Sequence, residues 1–333
     1  MSVRHPFRPP EHERGAALLS VLLLVAVMAV IAAVMLDRLN LAVRLAGNGQ
    51  AMTRARLYAT SAETLAMARL KALVDADRTR TVDVSGLLGR DFPLSVPNGA
   101  AGGTVTARID DADNCFNVNS LVERKPDDTY AMRPAALEQL RALMEGLAIA
   151  PADAIPISDA MADWIDSDST PAPNGAEDDW YRSQPVPYLT AGRPIGDVSE
   201  LRAVKGMTPV IYQRLRPWLC ALPETELSPI NVNTLRPDQA RLLTMLAPDA
   251  LPPGRARSII AGRPQTGYAN VNSAIGGVLP DGAAAQVKVN SRWFLLTQTV
   301  KVDSVTLESQ SLIDTGVDPA RVAFRSWGGQ DSR

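Results

Sequence analysis

Residues 16–36, AALLSVLLLVAVMAVIAAVML, are 21 consecutive positions without a charge. As an α-helix rising about 1.5 Å per residue, a run of this length crosses a bilayer core of about 30 Å. It exceeds the apolar region of a secretory signal peptide, roughly 7–15 residues, and no small-x-small cleavage site follows; Asp37 and Arg38 come next. Arg4, Arg8 and Arg14 precede it, which puts the short N-terminus in the cytoplasm and the bulk of the chain outside. The plainest reading is a signal anchor. The only two histidines, His5 and His12, lie before the run. Beyond it a Ser-His-Asp triad, a Cys-His pair and a His-ligated zinc site are all ruled out. With Cys115 and Cys220 as the only cysteines, so are four-thiolate zinc and iron–sulfur sites. Any catalysis or metal binding must use oxygen ligands. Lys and Arg number 34 against 36 Asp and Glu, a net charge of −2 that offers no electrostatic footprint for nucleic acid.

A second reading of the N-terminus starts from Arg14-Gly15-Ala16. A basic leader ending in Gly and running straight into a long apolar helix resembles a type IV prepilin. That resemblance implies cleavage by a prepilin peptidase between Gly15 and Ala16, then N-methylation of the new terminus. Most pilins and pseudopilins carry Glu as the fifth mature residue; Ser20 stands there in this chain. In pilins that buried carboxylate pairs with the N-terminal amine of the neighbouring subunit. A subunit without it makes no such bond to a subunit ahead, which suits a place at the tip of a filament.

After the span, residues 37–75 keep helical periodicity, with Leu39, Ala42, Val43, Ala46, Leu57, Leu65, Ala68 and Leu73 as the apolar stripe. Gly47 and Gly49 predict a bend or local break there. Residues 76–103 read as loop. Residues 104–109 alternate as a strand, as do 293–302, 304–313 and 323–327. About 180 residues of helix and loop sequence separate the first strand from the others, so one sheet interrupted by a large, mostly helical insertion is the economical reading. Within it Asn117-Val118-Asn119-Ser120, Asn231-Val232-Asn233-Thr234 and Asn270-Val271-Asn272-Ser273 recur, each expected to cap a following helix. Leu201-x-x-Val204-x-Gly206-Met207-Thr208, with Tyr212 and Leu215, reads as a helix-hairpin-helix element, and residues 233–276 repeat the pattern with Ala256, Ile259 and Ile260.

Residues 151–200 hold ten carboxylates and two basic residues. The dense parts are Asp163-Trp164-Ile165-Asp166-Ser167-Asp168 and Gly175-Ala176-Glu177-Asp178-Asp179-Trp180-Tyr181. Packed together without cations these charges repel, whereas hard divalent cations are bound by clusters of carboxylates and carbonyls, calcium taking about 6–8 oxygens. The spacing lacks the Gly of an EF-hand. A solvated acidic loop is the alternative. Asp166, Asp168, Glu177 and Asp178 are the leading ligands for structural calcium, followed by Asp163 and Asp179.

These blocks, with Phe116-Asn117-Val118-Asn119, Ile230-Asn231-Val232-Asn233-Thr234 and the leader lacking Glu at Ser20, occur in the order of one family. The chain resembles the minor pseudopilin K of the type II secretion system (GspK family) over nearly its whole length. The resemblance implies an α+β fold. Its type IV pilin-like body is a long N-terminal transmembrane helix packed on an antiparallel sheet, and its large α-helical insertion contains helix-hairpin-helix (SAM-like) elements. The division expected is 1–15 leader, 16–36 transmembrane, 37–119 and 286–333 body, and 120–285 insertion. The family also implies calcium at the insertion and assembly with minor pseudopilins I and J. That complex is the tip of a periplasmic pseudopilus, anchored in the inner membrane of a Gram-negative cell, that supports export of folded proteins.

Two rivals are a nucleic-acid-binding surface protein, because helix-hairpin-helix elements grip phosphates, and a metal-dependent hydrolase. Against the first, Gly206-Met207-Thr208-Pro209 has one Gly, and Pro209 removes an amide. Against the second, no nucleophile motif stands near the acids, so an enzyme is not expected. Cys115 and Cys220, an even pair in an oxidising compartment, are expected to be bridged rather than to remain two buried thiols.

Overall fold

The computed structural model describes residues 11–96 and 102–328. Its first element, α1 (Glu11–Ala76), is one helix of 66 residues. The local break expected at Gly47 and Gly49 is absent, the helix running through both without interruption. Each Gly costs a helix only about 1 kcal/mol against Ala, too little to interrupt a cooperative hydrogen-bonded ladder this long. Residues 18–50 are exposed, and burial starts at Ala51. From there Ala51, Ala55, Ala59, Ala62 and Ala66 recur on one face with Tyr58 and Leu70. Their small side chains let α1 lie close against a sheet.

The strands of that sheet are β1 (Asp91–Val96), β2 (Gly103–Asp111), β9 (Trp293–Val302), β10 (Val305–Asp314) and β11 (Arg321–Trp327). They lie in the order β1-β2-β9-β10-β11 and are antiparallel throughout. β1 falls in a segment expected to be loop. Pro93 disguised it in the sequence, and an edge strand with one free side is where a sheet tolerates proline. Alternate residues of β2 and β9 face the helix. Val105, Val300, Val302 and Leu307 pack near Ala51–Ala62, and Ile109, Phe294, Leu296 and Ile313 pack near Ala66 and Leu70. Full burial of side chains such as Phe294 and Ile313 stabilises the sandwich by about 1.5–3 kcal/mol each. Glu63, an acid on this apolar face, is buried and accepts from the Arg325 guanidinium and the Ser311 hydroxyl, which fastens β11 to the helix.

Between β2 and β9 the chain makes the insertion, which leaves the sheet at the Leu70 end of α1, the end farther from the apolar span. It contains two units closed in the same way. In the first, β3 (Phe116–Asn117) pairs in parallel with β6 (Leu219–Cys220). Between them lie β4 (Val122–Arg124), β5 (Tyr130–Met132), α2 (Pro134–Gly146), α3 (Pro151–Asp163), α4 (Asp178–Arg182) and α5 (Pro209–Leu215). In the second, β7 (Ile230–Asn231) pairs in parallel with β8 (Val287–Lys288), enclosing α6 (Ala240–Thr244), α7 (Pro253–Ala261), α8 (Val271–Ile275) and α9 (Asp281–Ala284). The insertion's closing strand pairs thus run from Phe116 to Lys288, a few residues outside 120–285. One apolar core, from Phe116 to Val287, joins both units.

The Asn-Val-Asn repeats build this closure. Asn117 and Asn231 each accept from the amide two residues on, capping a 3-10 turn and a plain turn respectively. Asn270 caps α8. The expectation that each motif caps a following helix therefore fails at Asn231, where the next helical residues begin at Pro237. The second asparagine does something else. The Asn119 carboxamide, 1% exposed, donates to Ile195 O and Leu222 O and accepts from Ile195 N. Asn233, 3% exposed, donates to Tyr268 O and Val289 O and accepts from Tyr268 N. Each carboxamide satisfies three backbone groups, buried ones at Asn119 and part-buried ones at Asn233. Two residues past each clamped position stands a capping box, Asp197 with Glu200 and Asn270 with Ser273. At the joint with the sheet, Asp111 accepts from the hydroxyls of Thr234 and Ser291, and Asp113 accepts from the amides of Arg292 and Trp293.

Candidate metal centre

α3 ends at Asp163, but two further turn bonds, Trp164 N to Ala160 O and Asp166 N to Ala162 O, carry the helical path onward. Asp163 and Asp166 are three residues apart on that path and share one side of it. The chain then loops out and returns against Asp163, whose carboxylate accepts from Ala172 N (3.1 Å) and Ala176 N (2.7 Å). Gly175 is needed for this approach, since a Cβ there would lie 1.9 Å from Asp163 Oδ2. Asp159, one turn before Asp163 and paired with Arg141, holds the loop through Asn174 N and Nδ2. Glu177 follows as the N-cap residue of α4.

The result brings ligand oxygens of Asp163, Asp166 and Glu177 within 4.8 Å of one another. All three residues are buried, and no lysine or arginine among the described residues pairs with them. Trp164, Trp180 and Tyr181 pack beside them, with Tyr181 edge-on to both indoles at 5.2 and 4.9 Å. Burial, and then the neighbouring carboxylates, push Asp166 up to about 8 and Glu177 up to about 7. Asp163 rises to about 6, burial again leading and its two backbone donors opposing. Asp166 Oδ1 and Glu177 Oε1 are buried without a hydrogen-bond partner. Buried acceptors left unpaired are costly, and an ion that takes only oxygen ligands meets that requirement. These residues fit a hard divalent cation such as calcium.

The other three candidate ligands stand apart. Asp168 is exposed and accepts from Thr170 N, close enough for its charge to raise Asp166 and Glu177. Asp178 bonds Thr190 N and Oγ1 and pairs with Arg182, and Asp179 is fully exposed beside the same arginine. The reason is helical register. Successive residues at the start of α4 turn by about 100°, so Glu177 faces the cluster while Asp178 and Asp179 turn toward Arg182, four and three residues on. Sequence reading did not single out Asp159, Arg141, Asn119 in its clamping role, or Lys205 as a partner of the acidic loop. Only Asp159 left a trace, the helical spacing of 159, 163 and 166. Cys115 and Cys220 are bonded to each other, with Cα atoms 5.8 Å apart, across the β3–β6 pair. Gly15 and Ala16 lie within α1, both exposed.

Two family models described as type II secretion system (T2SS), protein K, match residues 114–224 and 230–290, which correspond to the two units. Among curated relatives, type II secretion system protein K of Klebsiella pneumoniae is 36% identical over 323 residues, covering 95% of this chain and 97% of the relative. The Pectobacterium carotovorum protein of the same name is 35% identical over 325 residues, with the same coverage. A solved structure, the GspK-GspI-GspJ complex from enterotoxigenic Escherichia coli, contains a chain that superposes with a TM-score of 0.71 at 29% identity, covering 85% of this chain and 99% of that one. Nothing in these likenesses supports the nucleic-acid alternative. Among the described residues one helix, Leu18–Ala76, is long and apolar enough to cross a membrane. The long helix on an antiparallel sheet, the two-unit insertion and these likenesses converge: the chain belongs to the type II secretion system protein K family and is a minor pseudopilin of that system.

Proposed function

We propose that this chain forms the tip of the periplasmic pseudopilus together with minor pseudopilins I and J, and that its role is assembly rather than catalysis. Ser20 carries the reading. Without a carboxylate at the fifth mature position the subunit has no anionic partner to offer the terminus of a subunit ahead, so it takes the front place. The similar solved structure is a complex of GspK with GspI and GspJ, which supports the choice of partners. The chain is membrane-anchored and faces the periplasm, and the membrane concerned is the inner one. Prepilin peptidase cuts after Gly15 and the new Ala16 terminus is methylated. Intact-mass measurement of the membrane-extracted protein tests the cut; an unprocessed Met1 terminus in cells with active peptidase contradicts it. Detergent-solubilised full-length protein should co-purify with I and J as one species. Failure of all three to associate removes the tip assignment.

The acidic cluster binds calcium as a structural ion. Asp163, Asp166 and Glu177 hold it, with Asp168 at its margin. Bound there, the cation offsets mutual carboxylate repulsion and ties the end of α3 to the start of α4, so the intervening loop, poor in apolar residues, keeps one conformation. A metal-dependent rise in melting temperature is the test.

A further inference from the structure

Resting on that calcium reading, a residue outside the cluster acquires a role. Lys205 lies in the helix-hairpin turn just before Gly206, whose φ of +80° lets the chain reverse. Its ammonium donates to Gly175 O at 2.8 Å and Asn174 O at 3.5 Å, and sits 5.7 Å from the centre of the Trp180 ring. Its backbone N–H donates to the Tyr181 hydroxyl at 3.1 Å. Lys205 thus holds the chain both two residues before Glu177 and four residues after it.

The peptide between Gly175 and Ala176 is the link to the cluster. In a trans peptide the C=O and N–H point in opposite directions. The carbonyl of this one is held by Lys205, and its N–H donates to Asp163 Oδ2 at 2.7 Å. One planar group is therefore gripped from both sides, by an ammonium outside the cluster and a carboxylate inside it. The ammonium forms no ion pair with Asp163, Asp166 or Glu177 and so does not act as a substitute for a metal ion. Releasing the carbonyl frees the peptide to rotate. That withdraws the N–H from Asp163 and displaces Glu177, the next residue but one.

We propose that Lys205 is a positioning residue for the calcium site, orienting Asp163 and Glu177 through the Gly175–Ala176 peptide and coupling the site to the helix-hairpin turn of the first unit. Groups that orient metal ligands from outside typically contribute about 10–100-fold in affinity.

The test is calcium titration calorimetry on the full-length protein in detergent, after chelator treatment, together with melting temperatures in chelator and in saturating calcium. Lys205→Met should weaken calcium binding about 10–100-fold and reduce the calcium-dependent gain in melting temperature, while the melting temperature in chelator changes little. Lys205→Arg, which can still donate to the carbonyl, should recover most of the affinity. Calcium affinity of Lys205→Met within twofold of wild type overturns the proposal, as does an equal fall in melting temperature with and without calcium, which marks a purely structural contact. If the methionine variant does not fold, Lys205→Ala, which likewise has no donor for the carbonyl, carries the same comparison. A flat isotherm for the wild type refutes the calcium reading itself, and is seen before any variant is compared.

Discussion

The two units of the insertion close by the same device and differ in what they enclose. In both, a buried asparagine clamps a distant backbone segment, a capping box follows two residues later, and a two-residue parallel strand pair joins the ends. In the second unit six residues, 262–267, separate the end of α7 from the clamped Tyr268. In the first, 31 residues, 164–194, separate the end of α3 from the clamped Ile195. Those additional residues, with Asp163 at the end of α3, contain the acidic blocks. A neutral carboxamide satisfies buried backbone groups without any ligand, so the second unit is complete as a polypeptide. The first unit instead encloses three buried carboxylates, and on the calcium reading proposed above a cation is what offsets their charge. The disulfide, too, belongs to the first unit alone.

The comparison can be broken most severely at that disulfide. Cys115→Ser with Cys220→Ser opens a loop spanning 105 positions. The chain-entropy model gives about 4–5 kcal/mol for such a loop, read by denaturant unfolding of the oxidised and reduced wild type beside the variant. Reduction that leaves the midpoint unchanged counts against the bond as a stabilising element. The clamps come next. Asn119→Ala and Asn233→Ala each leave three backbone groups away from full solvent unpaired, and each should cost about 3 kcal/mol. Their near-equality is the point to check, since a loss confined to one unit would mean that the shared geometry is not a shared function.

Metal removal should separate the units. Chelator should lower the melting temperature and calcium restore it, by the equivalent of about 2.7 kcal/mol when the ion is at a hundred times its dissociation constant. Asp166→Asn with Glu177→Gln, or Gly175→Ala, whose Cβ would strike Asp163, should abolish the response. Hydrogen exchange should place the change in the first unit and leave residues 230–288 protected.

The smallest effect is on pH dependence. Without metal the folded chain keeps protons on Asp166 and Glu177 up to about pH 8 and 7, and on Asp163 up to about 6. The unfolded chain releases them near pH 4. Between these limits the folded state binds more protons, so stability in chelator should fall as pH rises from about 4 to 8. The gain from calcium should grow over the upper part of that window, because the ion competes with those protons. Melting curves across the range, with and without calcium, measure both slopes. Parallel slopes would detach the carboxylates from the ion.

Much of this was readable in the residues. The uncharged run gave the anchoring helix, alternation gave β2, β9 and β10, and the density of acids beside tryptophans marked the candidate centre. What was hidden depended on direction rather than composition. Glu177, Asp178 and Asp179 are equivalent as text, and only the starting point of α4 decides which turns inward. Asn119 and Asn117 are both good caps, but one is turned to a segment 76 residues away. β1 was masked by Pro93, whose missing donor matters only in a strand with neighbours on both sides. Gly47 and Gly49 misled in the other direction, since local propensity was outweighed by the cooperativity of the helix around them.

That helix has a mechanical consequence. At about 1.5 Å per residue, residues 37–50 raise the sheet about 20 Å from the end of the apolar run, and the insertion is carried on the far side of the sheet again. Along its axis α1 is a strut, since a push from the membrane end reaches the head through hydrogen bonds loaded in series. Against a sideways load it is a beam whose stiffness varies. From Ala51 onward it is braced by the sheet, and a membrane would hold the apolar run. The short unbraced length between the two supports contains both Gly47 and Gly49. Bending therefore costs least in that short segment, between the apolar run and the sheet, while the continuous hydrogen-bonded axis still resists compression.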